Sequence, residues 1–182
     1  MDAANFTATE RLRNGAALQV RALRPGDRAE MLAAVGRFSK QTLYRRFFAP
    51  KRSFSEREIE FFLNVDFTNH VALVAVLVES GQQLIAGGAR YIVSHPGCAE
   101  VAFAIDDPHQ KLGIATHLIN HLIKIARAAG LEAFVAEVLP ENLPMLKVFE
   151  RCGLAMTTRS ERGVVHVSLA LGPAAASGPQ RP

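Results

Sequence analysis

The stretch CAEVAFAIDDPHQKLGIATHL, residues 98–118, decides the fold. An apolar run, 98–105, gives way to a polar turn holding Pro108. An amphipathic run, GIATHLINHLIKIARAAG, then continues to Gly130. This is a strand handing over to a helix. Gly113 is a poor helix former, so the junction serves something other than helix stability. The first turn of a helix carries unpaired amides and a partial positive charge, and together they suit a phosphate. Gly113 lets the backbone approach an anion closely, and Ala115 keeps the next turn clear. Lys111 adds a charge, and the Gln110 side chain can donate. The same glycine also fits an ordinary strand-to-helix loop. The pattern is neither a Walker A loop nor the GxGxxG fingerprint.

Working outward, elements alternate. ALQVRAL, 17–23, reads as a strand. Pro25, Gly26 and Asp27 turn the chain into RAEMLAAVGRF, which has helical spacing. TLYRRFF, 42–48, is a short helix closed by Pro50, and SEREIEFFLN opens with a capping box, Ser55 and Glu58. The runs 70–78, 84–93 and CAEVAFAID are expected to form an antiparallel meander. Helix 113–129 carries Leu118, Leu122, Ile125 and Ala129 on one face, and Gly130 ends it. LEAFVAEVL, 131–139, is a strand; 142–152 is a short helix; VVHVSLAL is the last strand. Residues 1–14 read as a flexible leader, 15–172 as one domain, and 173–182, rich in Gly, Pro, Ala and Ser, as a disordered tail. The fold class expected is α/β (α+β).

The chain has 182 residues, enough for one domain with a real core. The balance of 49% hydrophobic and 21% charged residues excludes a disordered chain. The longest apolar run, VALVAVLV at 71–78, is far short of the ~20 residues that span a bilayer. The opening MDAANFTATE has no signal-peptide pattern. Two cysteines, Cys98 and Cys152, point to free thiols in a reducing, cytoplasmic setting rather than to a disulfide framework. The net charge of +4 favours anionic partners in general. No metal is expected: His117 and His121 lie four apart but lack the HExxH glutamate, and read as a solvated helix face. His109 is placed either near a phosphate or in a loop without a role. The basic and aromatic mixture in YRRFFAPKRSFSEREIEFF suits nucleic acid in composition, but its phenylalanines fall at helical spacing and read as core.

Gln110-x-x-Gly113-x-Ala115, after a strand and opening a helix, resembles the acetyl-CoA motif (Q/R-x-x-G-x-G/A) of the GNAT acetyltransferase superfamily. Residues 130–154, GLEAFVAEVLPENLPMLKVFERCGL, resemble that family's strand and Asn-headed helix. Arg24-Pro25-Gly26-Asp27 and Ser39…Tyr44-Arg45-Arg46-Phe47 are similar to the start of GNAT domains in bacterial protein lysine acetyltransferases. The likeness covers residues 17–171. It implies one GNAT-like domain, with a mixed, mostly antiparallel sheet splayed at a cofactor cleft and flanked by helices. It also implies that the amides of Lys111, Leu112, Gly113, Ile114, Ala115 and Thr116 hold the CoA pyrophosphate. Phe103, Ala104 and Ile105 would pair with the pantetheine arm as an added strand. The cofactor would enter between 101–106 and 133–138, with Asn142 near the thiol end and Phe149 lining the pocket. Arg45, Arg46, Lys51 and Arg52 would meet an acidic acceptor surface or the CoA 3′-phosphate.

Acetyl transfer to an amine needs a base, because an amine of pKa ~10.4 arrives protonated. Glu100 is the first candidate and Glu137 the second. Strand alternation puts Glu100, Ala102 and Ala104 on one face, and an acid in an apolar strand is expected to be a stronger base than usual. Many GNAT enzymes carry a tyrosine on the Asn-headed helix to protonate the leaving thiolate. Here Phe149 stands at that position. No cysteine is placed as a nucleophile, so direct attack in a ternary complex is expected. The activity implied is acetyl-CoA-dependent N-acetyl transfer to a primary amine, on a protein lysine or a small molecule, by a monomer or homodimer. The alternative is a non-catalytic acyl-CoA sensor, and a nucleic-acid binder is the third reading.

Overall fold

The run VALVAVLV has no polar face to show to water, and the structure buries it on both sides from Val71 to Leu77, leaving only Val78 exposed. The structure, a computed structural model, describes residues 1–51, 53–79 and 81–172. Eight strands form one sheet: β1 (Thr7–Arg11), β2 (Ala17–Ala22), β3 (His70–Glu79), β4 (Gln82–His95), β5 (Cys98–Ile105), β6 (Ala133–Val138), β7 (Ala155–Glu161) and β8 (Val164–Ala170). Their order is β1-β2-β3-β4-β5-β6-β8-β7. Every neighbouring pair is antiparallel except β5 with β6. Five helices flank it: α1 (Arg28–Gly36), α2 (Lys40–Phe47), α3 (Glu56–Leu63), α4 (Ile114–Ala128) and α5 (Leu143–Glu150).

The two faces follow from strand alternation. Val71, Leu73, Ala75 and Leu77 join the large core with Leu118, Ile119, Leu122 and Ile125 of α4 and Phe149 of α5. Ala72, Val74 and Val76 turn the other way and pack with Leu23 and Ala34 under the first helices. Helix α3 starts with the expected capping box: the Ser55 hydroxyl accepts from the Glu58 amide, and the Glu58 carboxylate accepts from the Ser55 amide.

The fold class and the mixed, mostly antiparallel sheet are as the sequence implies. Two strands are new. Residues 7–11, expected within a flexible leader, form β1 and pair with β2 from Thr7↔Arg21 to Arg11↔Ala17. AMTTRSE forms the edge strand β7. Neither carries an apolar run, because one face of each stays in water. The tail 173–182 lies outside the described residues, as does Arg52. Ala129, expected on the buried face of the long helix, is the exposed C-cap of α4.

The feature that positions the site is the junction of β5 and β6. They pair only at Cys98↔Ala133, Ala99↔Phe134 and Glu100↔Val135. Beyond Glu100 the strands part, while β5 stays paired with β4 as far as Gly87↔Ile105 and β6 with β8 as far as Val138↔Val165. The opening therefore lies between 101–105 and 136–138, shorter on the β6 side than the expected 133–138.

Candidate functional site

The parted strands open a cleft of about 610 Å³. One wall is β5 from Glu100 to Ile105, and the other is Ala136–Val138 with Asn142 and Phe149. The start of α4, residues 113–116, closes one end. The edge of β5 is unpaired there, and alternation decides which groups it offers. The Asp106 amide donates to Ala86 on β4, and the Ala104 carbonyl also faces β4, 2.6 Å from where a Cβ on Gly87 would sit. Phe103 and Ile105 consequently turn their amides and carbonyls to the cleft, and Ala104 does not.

At the start of α4, Gly113 has φ +100° and caps the helix from the left-handed region. Lys111 is left-handed too, with φ +66°. The amides of Lys111, Leu112, Gly113, Ile114 and Ala115 have no acceptor among the described residues. That of Thr116 donates to the Gly113 carbonyl at 3.0 Å, so the free set is one residue shorter than implied. Gln110 was expected to reach an anion. Its amide instead donates to the Thr42 hydroxyl and the Ile105 carbonyl, both at 3.1 Å, and ties α2 to the end of β5. Arg13, from the turn between β1 and β2, borders the same cleft and was not singled out from the sequence.

Glu100 is exposed, where the sequence placed it among apolar neighbours. It sits at the last β5–β6 pair and points to the α1–α3 face with Ala102 and Ala104. Three basic groups stand behind it. Burial pushes Arg90 down to about 9, and the positive charge of Arg46 adds to that. Burial also lowers Arg46, while the negative charge of Glu100 opposes the shift. His70, 2.9 Å from an Arg90 nitrogen, is pushed down to about 4 by burial and by Arg90, so it is neutral at pH 7. Arg90 also lies over Phe62 at 4.8 Å and Arg46 over Phe47 at 4.9 Å. Phe47, Phe54 and Phe62 contact one another edge to face or tilted, but they are only half-buried and Phe61 beside them is exposed. The segment read as core therefore forms an aromatic cluster outside the two buried cores. Lys51 pairs with Glu58.

Glu137 is exposed on the same face as Glu100, 3.5 Å from His166. A second hollow of about 320 Å³ opens on this side, lined by Thr157, Arg159, His166 and Ser168. The two hollows share Glu100, Ala136 and Glu137.

The Asn142 side chain makes no hydrogen bond among the described residues and borders the cleft. Phe149 is fully buried and meets Phe103 edge-on at 5.8 Å. The Cys152 thiol donates to the Phe149 carbonyl at 3.0 Å, and burial raises its pKa, which makes it a poor nucleophile. His121, expected in water, is buried. It lies 2.8 Å from Glu10, and His117 lies 3.3 Å from the same carboxylate. His109 is also buried, between Asp106 and Glu79.

An open α/β sheet, split beside an unpaired strand edge that ends in bare helix amides, suits a protein that holds a long, phosphate-tipped ligand. The chain belongs to the GNAT acetyltransferase family: the pattern of the Acetyltransferase (GNAT) family matches residues 40–154. It is 33% identical over 156 residues to "Acetyltransferase Pat" of Mycolicibacterium smegmatis, a match that covers 85% of this chain and 46% of the relative. The chain thus spans about half the length of that relative. The crystal structure of the GNAT domain of S. lividans PAT superposes with a TM-score of 0.82 at 32% identity, covering 90% of this chain and 96% of that one. Spermidine N-acetyltransferase from Vibrio cholerae, in complex with CoA and spermine, shares the fold with a TM-score of 0.67 at 21% identity, over 86% of this chain and 97% of that one.

Proposed function

We propose that the protein is an acetyl-CoA-dependent N-acetyltransferase in which Glu100 is the general base. The observation that carries this reading is the meeting of two hollows at Glu100, beside the split in the sheet. The cleft takes the cofactor: free amides at 111–115 receive the pyrophosphate, the edge groups of Phe103 and Ile105 receive the pantetheine, and Asn142 contacts it near the sulfur. The cofactor supplies an acyl group activated as a thioester. The acceptor, a primary amine on a protein lysine or a small molecule, enters from the second hollow.

Glu100 takes one proton from the acceptor ammonium. The buried guanidinium of Arg46 and that of Arg90 favour the loss of this proton, because nearby positive charge disfavours an ammonium. The amine nitrogen then bonds to the carbonyl carbon, the C–S bond breaks and the thiolate departs. One of the two protons that nitrogen loses ends on sulfur, and the other goes to solvent through Glu100. Phe149 has no proton to give, so the second amine proton reaches the thiolate by way of water. Glu137 is the second candidate base, held near His166. The hydrogen-bonded Cys152 supports direct attack over an acyl-enzyme. The two unpaired thiols support a reducing, cytoplasmic setting.

Glu100→Gln is expected to cut turnover by about 100-fold or more, the usual range for a general base, while CoA affinity in a calorimetric titration stays within twofold. Full turnover in that variant excludes Glu100 as the base. Tight CoA binding with no turnover against protein-lysine and small-amine panels returns the chain to the sensor reading.

A further inference from the structure

The segment that looked like a leader is fastened to the cofactor end of the molecule. The Arg13 amide donates to the Leu112 carbonyl at 3.3 Å. The Arg13 Nε lies 3.8 Å from where a Cβ on Gly113 would stand, and its Cγ 3.9 Å. The guanidinium has no hydrogen-bond or ion-pair partner among the described residues, and it borders the cleft. A second contact holds the same hairpin to α4. Glu10 on β1 reaches His121 at 2.8 Å and His117 at 3.3 Å, and Phe6 packs against the His121 ring at 5.1 Å. Leu12 is buried in the main core. Arg13 therefore projects from an anchored backbone.

We propose that the β1–β2 hairpin completes the cofactor site, with Arg13 binding the diphosphate bridge of the nucleotide cofactor opposite the free amides of 111–115. The inference rests on the reading of the cleft as an acetyl-CoA site and adds a residue to it from another part of the chain. Five amides without an acceptor among the described residues supply partial positive charge at this end of the cleft, but a diphosphate carries two full negative charges. Lys111 is exposed and adjacent; Arg13 is the second full charge. Its planar fork suits paired phosphate oxygens better than an ammonium does.

The test is a titration of the full chain with CoA, 3′-dephospho-CoA and pantetheine, using wild type, Arg13→Gln and Arg13→Lys. Arg162→Gln, in the exposed turn after β7, is the control. Arg13→Gln is expected to weaken CoA and 3′-dephospho-CoA alike by about tenfold, the loss of one charge-assisted contact. Pantetheine is expected to bind both proteins equally, with melting temperatures unchanged. Arg13→Lys is expected to recover part of the loss. Unchanged CoA affinity in Arg13→Gln overturns the proposal. So does a loss that disappears with 3′-dephospho-CoA, which assigns Arg13 to the 3′-phosphate, and so does an equal loss with pantetheine, which makes the effect structural. Failure of wild type to bind CoA overturns the cofactor reading itself, a result distinct from the others.

Discussion

Gly113 shows how one residue serves two demands. The left-handed φ of +100° frees the amides that precede α4, and a side chain there would also move toward Arg13. Gly113→Ala is expected to cost about 1–2 kcal/mol of stability from backbone strain and to weaken CoA in a titration by more than that strain alone accounts for. Retained affinity would mean that the turn tolerates another shape. Spacing alone left Gly113 open to an ordinary strand-to-helix loop, and it was legible only together with Gln110 and Ala115, as part of a pattern that resembles the family's acetyl-CoA motif. Gln110 was legible only as a hydrogen-bonding group. Its targets, Thr42 and Ile105, lie across the fold, and nothing local names them. Arg13 was hidden among polar residues without periodicity. Glu100 was found by type and position, but its exposure was misjudged, because the strand's apolar neighbours do not show that the adjoining strand bends away.

The short turn between β5 and α4 behaves as a clamp. Asp106 is fully buried and accepts from His109 at 2.6 Å and from Arg37 at 2.8 Å, while His109 also meets Glu79 at 2.6 Å. Burial pulls the His109 pKa down, but hydrogen bonds to Glu79 and Asp106 more than offset this, and the net direction is up. The folded state therefore binds the proton more tightly than the unfolded state. The stabilisation is complete below about pH 6.5, the ordinary histidine value, and is lost as pH rises through the higher folded value. Melting temperature is expected to fall across that window in wild type and to flatten in His109→Gln, which should also melt lower at pH 6. An unaltered profile would show that the clamp does not titrate. Elements with apolar faces, such as the meander and α4, were legible from period alone, and so was the Ser55–Glu58 box. The strands β1 and β7 were not, since sheet edges with one wet face carry no apolar run, and pairing rather than composition makes them strands.

At the scale of the molecule, β1–β5 and β6–β8–β7 are two blocks of sheet. They are joined by three residue pairs and by α4, which links the blocks through its loops. Acetyl-CoA lying along β5 is expected to slow hydrogen exchange at the Phe103 and Ile105 amides and to raise the melting temperature with concentration, as any ligand of the native state does. Slowing confined to 111–116 would place the ligand at the anion cradle alone. The narrow junction also has a mechanical meaning. Tension applied between β1 and β8 must cross from one block to the other, and the three parallel pairs between Cys98–Glu100 and Ala133–Val135 form the weakest place on that path. Under load the protein should tear there first, and the force needed should report how full the gap is.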